Sequence, residues 1–329
     1  MGIMSLTEIM DRSLEILKKY IKTIVIFNIA YGAISFCVIL GFIIVGSILT
    51  AITIGLKLSA VIIPIAFSIF GIGIFAFIIS FKIGLIKISS QEFLHEKIYA
   101  SQAIGASFRK ILRVLGVLVI ETLLFIPVIA IFAGIGYWTY SSFKQSMIFS
   151  GMYDKNEIGL IIISILIVLL AILSFFSYIT IFCFSFQVLA IEDKGVFAAL
   201  KRSFNLIKGD FFKILGCSIL FSLSIYAITS SLQSFIGIVS SLIYMILKFL
   251  NVTQDFLAYM TLVYTYAQWP INILSWLVIS PVGTIMITHL YYNQRFKKDG
   301  FDIVLELNKI QKDEEKEQLS ERTQYNHSI

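Results

Sequence analysis

Charged residues are scarce in this chain, and so are proline and cysteine. Of 329 residues only 14% are charged, while 58% are hydrophobic and the mean hydropathy is +0.91. A soluble domain usually has about 25% charged residues, so this composition excludes a soluble globular protein. The three cysteines, Cys37, Cys183 and Cys217, lie in apolar runs and form no C-x-x-C pair. They are expected to pack as small hydrophobic residues, which excludes a disulfide framework.

Motifs of catalysis and of cofactor binding are also missing from the sequence. It contains no H-E-x-x-H, no P-loop and no G-x-S-x-G, the patterns typical of metalloproteases, nucleotide hydrolases and serine hydrolases. No cluster of histidines with aspartates or glutamates has the composition of a metal site. We therefore expect no enzymatic activity, no cofactor and no bound metal.

Long apolar runs dominate the rest of the chain. Each run meets the roughly 20 residues that a helix needs to cross a bilayer. Within hydrocarbon, such a run must also pair its own backbone groups. The pattern predicts an all-α polytopic membrane helix bundle with six transmembrane helices. The six runs cover residues 23–56, 58–81, 114–136, 158–191, 214–247 and 256–292.

Basic residues concentrate on one predicted side of the membrane. If the N-terminus is inside, segments 1–22, 82–113, 192–213 and 293–329 lie on the same side and hold 22 of the 26 lysines and arginines. Basic loops favour the cytoplasm, so we expect a multi-pass protein of the bacterial cytoplasmic membrane with both termini cytoplasmic. Topology accounts for the net charge of +6, and no nucleic-acid partner is implied.

Three of these basic segments resemble one another, and we call them elbows because each stands just before a long apolar run. They align on Ser13, Ser107 and Ser203, with separations of 94 (107 − 13) and 96 (203 − 107) residues. A fixed period indicates repeated structural units. We predict a weak threefold repeat, in which each unit is an amphipathic interfacial helix followed by a two-span hairpin.

This repeat and the charge pattern together define the predicted domain organisation. We predict three segments: a cytoplasmic amphipathic helix at 1–22, a six-span membrane domain at 23–292, and a partly disordered cytoplasmic tail at 293–329. The repeat units cover about 1–94, 95–190 and 191–292.

The first elbow, Ser5–Lys22, has the spacing of an amphipathic helix. Ser5 and Glu8 stand at the capping-box interval, which predicts a helix start. Glu8 with Arg12, and Glu15 with Lys19, are i,i+4 charge pairs. We expect this helix to lie in the cytoplasmic interface and then turn into the first span; a soluble helix docked on a partner is the alternative.

The third elbow, residues 192–216, is the longest charged stretch between the first span and the tail. After Gly195 the sequence predicts a helix that ends near Gly209, which is a suitable C-terminal cap. Its predicted apolar face holds Val196, Phe197, Leu200, Phe204 and Ile207. The opposite face holds Lys201, Arg202 and Lys208, which are candidate contacts for anionic headgroups at about 1 kcal/mol each. Ordinary topology charge explains them equally well.

One carboxylate, Glu121, lies inside an apolar run. It follows Arg113 by eight residues, about 12 Å along a helix, which places it between the inner interface and the midplane. An ionisable residue at this depth is a candidate functional residue. The alternative is structural: Glu121 faces the bundle and accepts hydrogen bonds from serine or threonine side chains of neighbouring spans.

The last two apolar runs are longer than one crossing requires. The first contains a polar patch between Thr229 and Ser234, which indicates either a kink or the outer interface, and the second contains Pro270 and Pro281. Broken helices of this kind can line a transport site. Structural kinks are the other explanation, because proline is common in membrane helices.

Three segments resemble the membrane domain attached to some glycerophosphoryl diester phosphodiesterases, a domain that also occurs alone in bacterial and archaeal membrane proteins. They read LTEIMDRSLEILKKYI, IEDKGVFAALKRSFNLIKGDFFKILG and YYNQRFKKDGFD, and the likeness covers about residues 5–303. In the fused proteins a separate soluble barrel carries the chemistry, and no stretch of this chain resembles it. The resemblance therefore implies a membrane domain without phosphodiesterase activity, and it assigns no functional residues.

Two functions fit these patterns. The first is a non-enzymatic membrane protein whose elbows contact lipid headgroups or a membrane partner, which includes a second copy of the chain. The alternative is a transporter or exporter component for a small or amphiphilic substrate, with Glu121 in its pathway.

Overall fold

The computed structural model describes residues 5–55, 62–94, 97–150, 155–251, 255–307 and 310, and this part of the chain is helical without strands. The tail from Lys312 onward, which we expected to be disordered, lies outside the described residues. The helices are α1 (Leu6–Gly55), α2 (Ile62–Ser89), α3 (Gln91–Leu94), α4 (Ala100–Arg109), α5 (Ile111–Ser150), α6 (Lys155–Phe182), α7 (Ser185–Gln187), α8 (Val196–Ile207), α9 (Phe211–Phe249), α10 (Phe256–Leu274) and α11 (Ser280–Asp299).

Among the residues that the structure describes, six helical stretches are long and apolar enough to cross a membrane, which confirms the predicted all-α bundle and its span count. Their bounds are Thr7–Ile52, Gly71–Leu94, Ile111–Ser141, Ile161–Glu192, Phe211–Phe249 and Phe256–Asp299.

Helix α1 starts as the sequence predicts and then continues where a turn was expected. The Glu8 N–H donates to Ser5 Oγ at 3.3 Å, and Arg12 pairs with Glu8 at 2.9 Å. Beyond Lys22 the helix runs on without a break to Gly55. The first elbow is thus roughly the first five turns of one long helix. No glycine or proline lies between Ser5 and Tyr31 to favour a turn.

The chain forms two compact units, which interleave along the sequence. The first contains Met1–Gly41, Phe81–Phe108 and Ile219–Ile329, and the second contains Phe42–Ser80 and Arg109–Ser218.

In the first unit, α1 approaches α2 very closely at Gly84. A Cβ atom at Gly84 would lie 2.8 Å from Ser107 Oγ of α4 and closer still to the Phe27 ring. Both neighbours are completely buried. Phe27 also stacks on Phe81, with 5.2 Å between ring centroids, so aromatic rings fill the space that the missing side chain leaves.

The last span is one helical path with a π-turn, Ser275–Ile279, between α10 and α11. Pro281 occupies the first turn of α11. In α-helical register the N–H of residue 281 would donate to the Leu277 carbonyl, but proline has no N–H. Asn28 of α1 supplies the bond instead: its Nδ2 donates to Leu277 O at 2.8 Å. The helix break is therefore part of the contact between α1 and the last span.

In the second unit, α5 and α6 pack as a pair and α8 packs on both of them. The rings of Phe125 and Tyr178 lie 4.6 Å apart across the α5–α6 contact. A Cβ atom at Gly116 of α5 would lie 2.9 Å from Val196 Cγ2, so the start of α8 sits directly against the α5 backbone. The short π-turn Val188–Glu192 then connects α7 to the third elbow.

Candidate functional site

Helix α8, the core of the third elbow, has one buried face and one exposed face. Its buried face includes Ala199 and Ser203, both 0% exposed, and Leu206 at 1%. It ends where the sequence predicts, because Gly209 has a φ of +95°, a conformation that L side chains rarely adopt. The elbow helix is thus anchored along its length and presents a defined surface.

The exposed face of α8 alternates aromatic and basic side chains. Phe197 is 77% exposed and Phe204 is 49% exposed, and Lys201 and Lys208 are exposed as well. These residues follow at intervals of four, three and four, so they lie on one side of the helix. We call them the α8 stripe: Phe197, Lys201, Phe204 and Lys208.

The stripe corrects the predicted division of α8 into an apolar and a basic face. Phe197 and Phe204 were expected beside Leu200 and Ile207, but only the latter pair is buried. The two phenylalanines lie with the lysines instead. Hydrophobic periodicity did not predict the exposure of the two phenylalanines, because their positions lie at the border between the apolar and the basic side of the helix.

Arg202 differs from the two lysines with which it was grouped. Its Nε lies 3.4 Å from Glu192 Oε1, and its side chain is 23% exposed. The Glu192 side chain, only 9% exposed, also pairs with Lys194 at 2.6 Å. Arg202 therefore takes part in an ion-pair cluster within the elbow, on a different side of α8 from Lys201.

A second cluster of charges joins the start of α5 to the third elbow. Lys110 Nζ donates to the carbonyls of Leu189 at 2.6 Å and Ala190 at 3.2 Å, so a cation caps the end of the π-turn. The same ammonium lies 3.2 Å from Asp193 Oδ1, and Arg113 pairs with that oxygen too. The hydrogen bond from Lys110, helped by Arg113, holds the pKa of the Asp193 carboxyl below its usual value.

The three serines that align the elbows are all 0% exposed. Ser13 Oγ donates to Ile9 O at 2.6 Å and Ser107 Oγ donates to Ala103 O at 3.1 Å, each within its own helix. Ser203 Oγ donates to Ile181 O of α6 at 2.9 Å. A small hydroxyl group that donates to a nearby backbone carbonyl suits a position where helices pack closely. These contacts favour a structural role for the three serines.

Glu121 lies on α5 facing partly inward. Its side chain is half-buried, and the Tyr178 hydroxyl of α6 donates to its backbone carbonyl. The structural hypothesis named serine or threonine as donors to Glu121, whereas this donor is a tyrosine of the neighbouring span and its acceptor is the main chain.

Fold and site together define the class of protein: this is an integral membrane protein, and its described part contains six apolar helices of spanning length. No family model, no curated protein and no solved structure matches the chain.

Proposed function

We propose that the protein is a non-enzymatic membrane protein whose third elbow binds anionic lipid headgroups through the α8 stripe. The single observation that carries this proposal is the exposed, alternating arrangement of Phe197, Lys201, Phe204 and Lys208 on a helix whose other face is buried. Phenylalanines on an interfacial amphipathic helix bury their rings at the boundary between headgroups and acyl chains. Lysines beside them extend their ammonium groups to the phosphates.

Arg202 has another role in this proposal. Its ion pair with Glu192 stabilises the turn into α8. The headgroup contacts come from Lys201 and Lys208, which are exposed. Two lysines near an anionic surface contribute about 1 kcal/mol each, which corresponds to about a 30-fold preference.

The test measures lipid association with the purified full-length protein by native mass spectrometry, with phosphatidylglycerol and phosphatidylcholine as the two probes. We expect the wild type to prefer phosphatidylglycerol. The variant Lys201→Glu/Lys208→Glu should lose at least about 30-fold in its apparent association constant, because charge reversal removes two attractions and adds repulsion. Lys248→Glu, an exposed charge reversal outside α8, is the matched control. Equal binding of both lipids by the wild type, with no effect of the double variant, would reject the proposal.

A membrane partner protein, or a second copy of this chain, is the competing occupant of the α8 stripe. The same double variant separates the two. Loss of crosslinking between protein chains in vesicles, with phosphatidylglycerol binding unchanged, would assign the stripe to a protein partner.

Transport remains a second candidate function because of Glu121. A carboxyl group on an apolar spanning helix suits proton or substrate exchange, and Glu121 is half-buried against α6 instead of facing lipid fully. In a strain that depends on the protein for uptake or resistance, Glu121→Gln is expected to abolish the phenotype and Glu121→Asp to retain it. Normal growth of the Gln variant at wild-type expression would reject this function.

A further inference from the structure

Helix α10 exposes two surfaces of different chemistry. One surface is apolar, and its residues Leu262, Trp269 and Ile273 are each more than half exposed. The other is polar, and its residues follow one another at intervals of four, three and four, so they share one side of the helix. We call this second surface the α10 polar seam. It consists of four exposed residues: Thr261, Thr265, Gln268 and Asn272.

The two amides of the seam differ from its two hydroxyl groups. Thr261 and Thr265 each donate to the carbonyl four residues earlier in the same helix, at 2.8 Å, so their hydroxyl groups are paired even in lipid. Within the described part of the chain, the side chains of Gln268 and Asn272 make no hydrogen bond to another residue. A carboxamide has two donor hydrogens and an acceptor oxygen, and leaving them unpaired in hydrocarbon is costly.

Contacts with α1 give the depth of Asn272 in the membrane. Lys22, the last basic residue of the first elbow, precedes Asn28 by six residues (28 − 22), about 9 Å along α1. Asn28 bonds to Leu277 at 2.8 Å, so these two residues lie at the same depth. Asn272 is five residues (277 − 272) further from the basic end of the last span, about 8 Å along the helix. It therefore lies about 17 Å from the level of Lys22, near the middle of a hydrocarbon layer roughly 30 Å thick.

The second amide lies in the same layer. Gln268 is four residues (272 − 268) beyond Asn272, about 6 Å further along α10. Acyl chains cannot bond to either amide, so lipid is a poor covering for the seam. The nearest charged residues on this helical path are Asp255 and Arg295, so a charged partner would bury its charge without a counter-ion. The surface that fits the seam is uncharged and contains hydrogen-bonding groups.

We propose that the α10 polar seam is the interface of a homodimer, in which Gln268 and Asn272 bond to the same two residues of a second copy. The seam fits itself, because each carboxamide is both donor and acceptor. Copies inserted into one membrane share one orientation, so a two-fold axis along the membrane normal brings each residue opposite its own counterpart. The intervals of four and three residues are those of the contact positions in left-handed helix pairs, the commonest arrangement of membrane helices.

The experiment measures the pairing of the purified full-length protein in phosphatidylcholine vesicles. Copies carry either a donor or an acceptor dye at the N-terminus, and energy transfer is followed as the protein is diluted with lipid. We expect transfer that falls on dilution, as for a reversible pair. Asn272→Leu should raise the dissociation constant about tenfold, the effect of losing hydrogen bonds between membrane helices. The Asn272 side chain is exposed and makes no bond within the described part of its own chain, so this variant should keep the monomer fold.

Two variants serve as controls. Asn272→Gln keeps a carboxamide at the same depth and should pair more strongly than Asn272→Leu. Ile273→Ala changes the apolar surface in the same turn and should pair as the wild type does. Absence of energy transfer at the highest protein density would overturn the proposal, and so would equal pairing of Asn272→Leu and the wild type. An equal loss for Ile273→Ala and Asn272→Leu would also overturn it, because the amides would then have no special part in the contact.

Disulfide crosslinking locates the contact independently. In a variant whose three native cysteines are replaced by alanine, Thr265→Cys should form a disulfide between copies on oxidation, since a disulfide needs Cα atoms within about 7 Å of each other. Ile273→Cys should not form one. The reverse pattern would place the dimer contact on the apolar surface of α10 and overturn the proposal.

Discussion

Asn28 donates a hydrogen bond to the carbonyl of Leu277 at 2.8 Å, and it does so where Pro281 removes the α-helical donor. The two residues are far apart in sequence, but they join the first span to the last. Asn28 is 0% exposed, so this polar contact lies wholly inside the first unit. It explains how a proline and a π-turn are accommodated within an apolar span.

Replacing Asn28 with leucine is expected to destabilise the protein by about 1–3 kcal/mol, because the Leu277 carbonyl loses its donor in a buried site. Thermal unfolding in detergent measures the effect. Pro281→Ala restores an N–H four residues after Leu277, so the double variant should lose less stability than Asn28→Leu alone. Simple additivity of the two changes would contradict the proposed relationship.

Gly84→Ala is expected to destabilise the first unit by about 1–3 kcal/mol, because the added methyl group overlaps the buried Phe27 ring and Ser107 Oγ. Gly73→Ala in the same helix is the control. A Cβ atom at Gly73 meets nothing within 4 Å, so this change should be neutral or slightly stabilising through helix propensity. Equal unfolding temperatures for the two variants would show that the close contact at Gly84 does not contribute to the stability of the protein.

Asp193→Asn should lower stability at neutral pH and have no effect in strong acid. The folded pKa of Asp193 lies below its ordinary value of 3.8 because Lys110 and Arg113 favour the carboxylate. The ionised Asp193 therefore stabilises the folded protein when the pH is above 3.8. This stabilisation is lost as the pH falls through the folded pKa. The side chain is 68% exposed, so the effect is under about 1 kcal/mol.

Asparagine is the suitable replacement at this position because Asp193 has a φ of +54°, and asparagine tolerates the left-handed region. Denaturant unfolding between pH 2 and pH 7 checks the result. A stability difference that persists unchanged at the lowest pH would show that the ion pairs are not its source.

Opposite faces of α8 should respond differently to truncation. Leu206→Ala removes a side chain that is 1% exposed and should cost about 2–5 kcal/mol. Phe204→Ala removes a larger ring that is 49% exposed and should leave the unfolding temperature in detergent nearly unchanged. The same variant should weaken the association with vesicles of phosphatidylglycerol. A strong loss of stability for Phe204→Ala would place its ring in the core and remove it from the proposed stripe.

Several features were predictable because they depend on residues close together in the chain. The helix start at Ser5, the Glu8–Arg12 pair and the end of α8 at Gly209 all follow from local spacing, and the structure confirms them. Lys19 was predicted to pair with Glu15 four residues earlier. It pairs with Glu92 of α3 at 2.6 Å instead, because tertiary packing brings a carboxylate from elsewhere within reach.

The candidate sites depended more on tertiary contacts. Lys201, Arg202 and Lys208 carry the same charge in the sequence. In the structure the Arg202 side chain pairs with Glu192 and is only 23% exposed, while both lysines are exposed. The polar patch around Gln233 was visible in the sequence. Its counterpart at Tyr264 and Gln268 became apparent only when α10 was seen to lie beside it.

By itself, the amino-acid sequence determined that the chain is an all-α membrane protein with six spans, because apolar length and backbone pairing leave few other structures in a bilayer. The tertiary structure decided which side of each helix is covered, which charges meet, and that Asn28 completes the break at Pro281. These outcomes rest on contacts between distant residues, and hydrophobic periodicity along one helix contains no information about its neighbour.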